Sequence, residues 1–135
     1  MSQFSILSIP PYKFILPLSS LREVLAYTKV YRIPKSLGYI RGITPIRGEL
    51  YTVLCIPSLL HFEAQTTERN QLAIIDHKLG DFAIEATRID IISITSEIQP
   101  LPEGLPFKEW TAGMIHDPKV GDLFLLDFTA LETLV

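Results

Sequence analysis

Short apolar runs, each cut off by proline, glycine or aspartate, set the pattern of this chain. Phe4 to Ile9 is the first run, ended by Pro10 and Pro11, and Lys13 to Leu16 is the second, ended by Pro17. Two such runs across a tight turn predict a hairpin. Ser20-Leu21-Arg22-Glu23 has the spacing of a capping box, in which serine and glutamate satisfy backbone donors reciprocally. With Leu18, Leu21, Val24 and Leu25 at helical spacing, this segment predicts a short helix with one apolar face. Val30 to Ile33 is a strand candidate stopped by Pro34, and Ser36-Leu37-Gly38 is a turn.

Two near-repeats follow, Ile40-Arg41-Gly42 and Ile46-Arg47-Gly48, on either side of Ile43-Thr44-Pro45. Leu50 to Ile56 is apolar on both faces, which predicts a buried central strand. Pro57 ends it, and Ser58 to Phe62 reads as a helical turn. Residues 63–70 are polar and predict an exposed loop, the seam between two β subdomains. Beyond it, Leu72 to Asp76, Phe82 to Ala86 and Arg88 to Ile94 read as strands, and Ser96 to Phe107 as a proline-rich loop with room for one short strand. Trp110 to Ile115 and Leu123 to Phe128 flank a turn at 117–122 and predict a second hairpin. Thr129 is placed to cap a closing helical turn, Ala130 to Leu134. Many short strands with few helices mean an all-β barrel or sandwich rather than a parallel βαβ sheet.

At 135 residues the chain is one domain, or two small subdomains sharing a core. With 47% apolar and 20% charged residues it can bury a core without staples. The net charge of -3 offers no general attraction to nucleic acid or anionic lipid. Cys55 is the single cysteine, so no disulfide forms within the chain and no thiol pair can hold a metal. No basic segment leads into a long apolar stretch at the N-terminus, and every apolar run falls short of the ~20 residues a membrane helix needs. These features predict a cytoplasmic protein.

Chemistry finds little support. His61, His77 and His116 lie far apart and lack metal-ligand spacing, and no phosphate-binding loop or nucleophile elbow occurs. Cys55 sits in the most apolar run, where a low dielectric disfavours the thiolate. Asp76, Asp81, Asp117 and Asp122 flank turns, where aspartate bonds its own backbone. Glu85, Asp90 and Asp127 fall in strand runs and are expected to face solvent. Neither an enzyme nor a cofactor is expected. Arg41 and Arg47 each precede a glycine, and their residue types alone read as turns carrying solvated guanidinium groups. The alternative is an arginine held on a rigid strand end to meet a partner carboxylate in a planar, directional way. Glu23 is likewise either a capping residue or a site residue.

The stretch from Ile33 to Leu50, with its proline, its apolar-plus-glycine pair and its Ile46-Arg47-Gly48 tripeptide, resembles the signature of CheW-like domains, where the tripeptide is Leu-Arg-Gly. Leu21-Arg22-Glu23-Val24 resembles that family's acidic segment on a short helix. Trp110 to Ile115 and Leu123 to Leu134 resemble its closing hairpin and terminal helix. The resemblance implies two intertwined, SH3-like five-stranded β subdomains with a shared core. It implies a non-catalytic adaptor that binds the regulatory domain of a CheA-type histidine kinase and the cytoplasmic tip of a methyl-accepting receptor. On this basis the expected partner-binding residues are Glu23, Arg41, Gly42, Ile46, Arg47 and Gly48. Thr52 and Cys55 stand where the family has proline and aspartate, and Ala86-Thr87-Arg88-Ile89 replaces a Val-Asp-x-Val segment. These departures point to a divergent member, serving pilus-driven motility or phototaxis. A small β-barrel binding nucleic acid is the rival reading, and it calls for a basic face interleaved with aromatics.

Overall fold

The computed structural model describes residues 2–105 and 107–133, the side chains of 132 and 133 excepted. Its strands are β1 (Ser2–Ile9), β2 (Tyr12–Pro17), β3 (Leu21–Ala26), β4 (Ile40–Ile46), β5 (Glu49–Leu54), β6 (Gln71–Ile75), β7 (Phe82–Ala86), β8 (Arg88–Ile94), β9 (Thr111–Asp117) and β10 (Gly121–Leu126), with one short helix, α1 (Ile56–Leu60). They form two five-stranded sheets, ordered β8-β1-β2-β10-β9 and β3-β6-β7-β5-β4. The chain starts the first sheet, builds all of the second, then returns to finish the first. This is the intertwined all-β arrangement the resemblance implies.

The two sheets are built alike. Each reads antiparallel, antiparallel, parallel, antiparallel across its four pairings. Each is also closed in the same way. The segment after β3 bridges to β4 through Tyr31 and Ile43, and the segment after β8 bridges to β9 through Gln99 and Met114. Reciprocal backbone hydrogen bonds of 2.7–2.9 Å hold both bridges. A glycine precedes the bridging residue in each case, and there the missing side chain matters: a Cβ on Gly42 would lie 2.1 Å from the Tyr31 carbonyl oxygen, and one on Gly113 would lie 2.8 Å from that of Gln99. Joining the two edges turns each sheet into a small barrel and removes its open edges there.

Alternation along the central strands explains their unbroken apolar runs. Phe14 and Leu16 of β2 face a core shared by both barrels, while Ile15 faces the interior of the first barrel. Ala73 and Ile75 of β6 likewise face the shared core, and Leu72 and Ile74 face the interior of the second barrel. Tyr12, Phe14, Phe62, Phe107 and Phe124 meet in the shared core, with ring centroids 4.9–6.3 Å apart. Each fully buried side chain of this kind contributes about 1.5–3 kcal/mol.

Several expectations need correction. The predicted helix at 20–25 is a single 3-10 turn, Leu18–Ser20, followed by strand β3. Burial alternates along β3, with Leu21, Glu23 and Leu25 the more buried set, and β6 supplies its backbone partners. That tertiary pairing overrides the helical spacing, so Glu23 lies on a strand and caps nothing. Val30 to Ile33 contributes only the Tyr31 bridge. β5 is flanked on both sides by β7 and β4, but its start is open: Leu50 is 69% exposed, and Ile56 already belongs to α1. The polar stretch 63–70 links α1 to β6, both on the side of the second sheet, so the passages between sheets lie instead at Leu18–Ser20 and Thr87. The closing turn is a 3-10 segment, Thr129–Thr133, and Leu134 lies outside the described residues.

Candidate interaction site

Arg47 and Gly48 are the two loop residues of the β4–β5 hairpin, between the paired residues Ile46 and Glu49. Both have positive φ, 48° at Arg47 and 80° at Gly48. A two-residue turn of this hand matches the twist of the flanking strands and requires left-handed backbone at both positions. Glycine adopts it freely. Arginine does so at a cost of the order of 1–2 kcal/mol, so its presence at the turn tip calls for a role outside the turn. Its Nη2 donates to Glu23 Oε2, bridging the hairpin tip to β3. The side chains stay accessible, 64% exposed for Arg47 and 31% for Glu23. The hydrogen bond from Arg47, reinforced by its charge, holds the Glu23 carboxyl below its ordinary range, and Glu23 in turn raises Arg47. The geometry therefore keeps a charged, oriented donor–acceptor pair at the rim.

Arg41 does something else. It stands at the far end of β4, where its Nε donates to Glu85 Oε1 at 2.9 Å and its Nη2 approaches Cys55 Sγ at 3.2 Å. Arg69 Nε donates to the same Glu85 oxygen at 3.2 Å, and the Tyr27 hydroxyl donates to Oε2 at 3.0 Å. Glu85 is 5% exposed. It shares strand parity with Ala83, whose side chain lines the second barrel, and so points inward rather than to solvent as expected. Burial opposes the charge on Arg41, but the hydrogen bond and negative charge of Glu85 outweigh it and raise its pKa. Burial and Glu85 also push the Tyr27 hydroxyl up. Arg41 is thus engaged within the fold, and the next residue, Gly42, serves the barrel closure. Of the six expected partner-binding residues, Glu23, Arg47 and Gly48 come together at one corner, with the buried Ile46 beneath them. Arg41 and Gly42 do not join them.

Sequence reasoning missed Tyr27, Arg69 and Glu85 as a cluster. The available signal was a lone carboxylate in Phe82-Ala83-Ile84-Glu85-Ala86, an otherwise wholly apolar strand. Cys55 is buried as expected, accepting also from Ser58 Oγ at 3.3 Å. The three histidines stay apart: His61 ends α1, His77 lies in the β6–β7 turn and His116 pairs with Asp122 on the β9–β10 hairpin. Among the described residues no group of three or more His, Cys, Asp or Glu could hold a metal ion, and no helix is long and apolar enough to cross a membrane.

Where the two sheets meet, Leu16 and Pro17 of the first and Ile75 to His77 of the second border a cleft of about 430 Å³. A neighbouring cleft of about 350 Å³ is apolar, lined by Leu37, Tyr39, Leu79, Phe82 and Leu131. Residues 3–132 match the family model of the CheW-like domain. The chain belongs to the CheW-like domain family. Among solved structures it is similar to the scaffolding protein TtCheW from Thermoanaerobacter tengcongensis, with a TM-score of 0.81 and 15% sequence identity over 96% of this chain and 86% of that one. No curated protein matches. At this identity the likeness establishes the shared fold, while the family model carries the membership.

Proposed function

We propose that this CheW-like protein is a non-catalytic adaptor of the chemotaxis type, coupling a receptor to a CheA-type histidine kinase in the cytoplasm, and that the corner made by Glu23, Arg47 and Gly48 is one of its contact points. The observation that carries the site is the strained Arg47: a non-glycine at a left-handed turn position, its guanidinium held by a carboxylate from another strand. A positioned pair of this kind can exchange or share hydrogen bonds with a partner without first ordering its own side chains, which lowers the cost of binding. The clefts at the junction of the sheets, about 430 and 350 Å³ and bordered by Leu16, Ile75, Leu37, Phe82 and Leu131, offer apolar side chains to one face of an amphipathic helix. Modest affinity for each partner suffices, because such assemblies are multivalent. A divergent place in pilus-driven motility or phototaxis fits Thr52, Cys55 and Thr87. The nucleic-acid alternative gains nothing from a -3 net charge and from arginines already engaged with carboxylates.

Titration calorimetry with a receptor-tip helical bundle, and separately with the kinase regulatory domain, tests this reading. Arg47→Glu sets a second carboxylate against Glu23, and binding of at least one partner should fall about tenfold or more. Arg88→Glu, which likewise sets a carboxylate against the partner of an exposed ion pair, Asp90, but on the first sheet, is the control. Arg41 cannot serve, because reversing its charge would strike the buried Glu85 and unsettle the fold. Unchanged affinity for both partners in a folded Arg47→Glu protein would remove the corner from the interface.

A further inference from the structure

No acidic residue occurs between Glu23 and Glu49, yet that stretch carries Lys29, Arg32, Lys35, Arg41 and Arg47 in a protein of net charge -3. Three of the five cations are occupied: Arg47 by Glu23, Arg41 by Glu85, and Lys29 by the Tyr31 ring, whose centroid lies 4.8 Å from Nζ. Arg32 and Lys35 are exposed and meet no carboxylate among the described residues. Together with Ile33, Pro34, Ser36 and Ile40 they line a cleft of about 370 Å³ beside Arg41. Tyr31, Ile33 and Leu37 in the same segment are 49%, 39% and 57% exposed.

The segment is not a loose loop. Tyr27 N donates to Asn70 O, Tyr31 exchanges two hydrogen bonds with Ile43, and the Thr44 hydroxyl holds Lys29 O at 2.9 Å. Ile40 N closes the stretch onto Leu37 O at 2.9 Å, and Lys35 is fixed at φ 61°, a left-handed conformation side chains rarely adopt. Two unmatched cations and the open side chains of Tyr31 and Ile33 are thus presented on a backbone held in place.

We propose that residues 29–41 form a second docking surface, for an acidic amphipathic helix of a partner protein. Its carboxylates would meet Arg32 and Lys35, and its apolar face would cover Tyr31 and Ile33. A polyphosphate backbone suits the surface poorly, since it needs several phosphate contacts and offers nothing to the apolar side chains. An anionic membrane gains only from the few free cations, against the acidity of the remainder of the protein. The Arg32–Lys35 cleft, bordered by Ile40 and Arg41, lies at the opposite end of β4 from the Arg47–Glu23 corner, about 20 Å away at the rise of a strand, with Tyr31 between them opposite Ile43. It therefore stands apart from the assignment of that corner.

A fluorescently labelled synthetic helix with leucine on one face and glutamate on the other is the probe, read by anisotropy against the full chain. Saturable binding that weakens with salt is expected, as is a loss of at least tenfold, about 1.4 kcal/mol, in the Arg32→Glu/Lys35→Glu protein at unchanged melting temperature. The same helix with lysine for glutamate should not bind, and the Arg47→Glu protein should bind like the unmodified one. Absence of saturable binding, or equal affinity in the double variant, would overturn the proposal. So would tighter binding of a single-stranded oligonucleotide or of phosphatidylserine vesicles that the double variant loses, and so would a loss confined to Arg47→Glu.

Discussion

Replacing Glu85 by alanine would leave two guanidinium groups and a phenol without their common acceptor. The cost can be bracketed from exposure. Severing a fully buried ion pair costs about 3–5 kcal/mol, and an exposed one less than about 1 kcal/mol. The Glu85 side chain is 4% exposed, but its partners Arg41 and Arg69 are 34% and 24% exposed, so water can reach both cations once the carboxylate is gone. A loss of about 2–3 kcal/mol follows, which in a domain of this size lowers the melting temperature by roughly 8–12 °C. Glu85→Gln retains an acceptor oxygen and the side-chain volume, so its loss should be about half as large. Urea unfolding followed by fluorescence of Trp110 supplies the free energies, with the slope unchanged if the native fold is kept. A double-mutant cycle with Arg69→Ala should return a coupling of about 1 kcal/mol or more. A melting temperature within about 3 °C of the unmodified protein in Glu85→Ala, or a coupling near zero, would refute the view that this cluster ties β4, β7 and the 63–70 loop together.

Gly42→Ala, whose Cβ would collide with the Tyr31 carbonyl, should cost about 2–3 kcal/mol and speed hydrogen exchange at the Tyr31 and Ile43 amides, whereas Gly38→Ala, with open space around it, should be nearly neutral. Cys55→Ser should bind both partners like the unmodified protein in calorimetry, because a hydroxyl can accept from Arg41 and Ser58 as the thiol does. The Glu23 carboxyl is held below its unfolded value by Arg47, so the stability it contributes is complete above the ordinary carboxylate range and is lost as pH falls through the lowered value; Glu23→Gln should flatten that acid limb of a pH-stability curve, and an unaltered limb would count against the pair.

The strand pattern is legible in the sequence wherever a run is buried on both faces, as in Phe14-Ile15-Leu16 and Leu72-Ala73-Ile74-Ile75. A buried helix could carry the same apolar runs, but these stop at Pro17 and Asp76 too soon for one. Legibility fails at Leu21–Ala26, because the apolar positions there satisfy a helical and a strand period at once, and only the pairing with β6 selects between them. It fails again at the two barrel closures, where Gly42 and Gly113 are needed for carbonyls 11 and 14 residues distant in the chain, a relation no local pattern carries. The near-repeat of Ile-Arg-Gly is the most instructive case. One copy turns a hairpin and aims its arginine outward, whereas the other admits a neighbouring backbone and turns its arginine onto a buried carboxylate.

That contrast follows from how the two barrels share their apolar surface. Strands β1, β2, β6, β7 and β10 give one face to their own barrel and the other to the common core, so these strands reach a partner chiefly at their ends, where Leu16, Pro17, Ile75 and Phe82 border the clefts between the sheets. Outside those clefts, recognition falls to hairpin tips, to outer strands such as β3 and β4, and to the segment that closes the second barrel. Arg47 and Glu23 occupy the first two of these places, and Arg32 and Lys35 occupy the third. An adaptor built this way can alter its partners by substitution at tips and closures while the shared core is untouched. Charge reversal at Arg47 or at Arg32 and Lys35 should therefore change affinity with little change in unfolding free energy, whereas substitutions at Glu85 or Gly42 should do the reverse. Paired calorimetric and urea-unfolding measurements on the same four variants separate the two classes, and an Arg47→Glu protein that loses stability as far as Glu85→Ala would collapse the distinction.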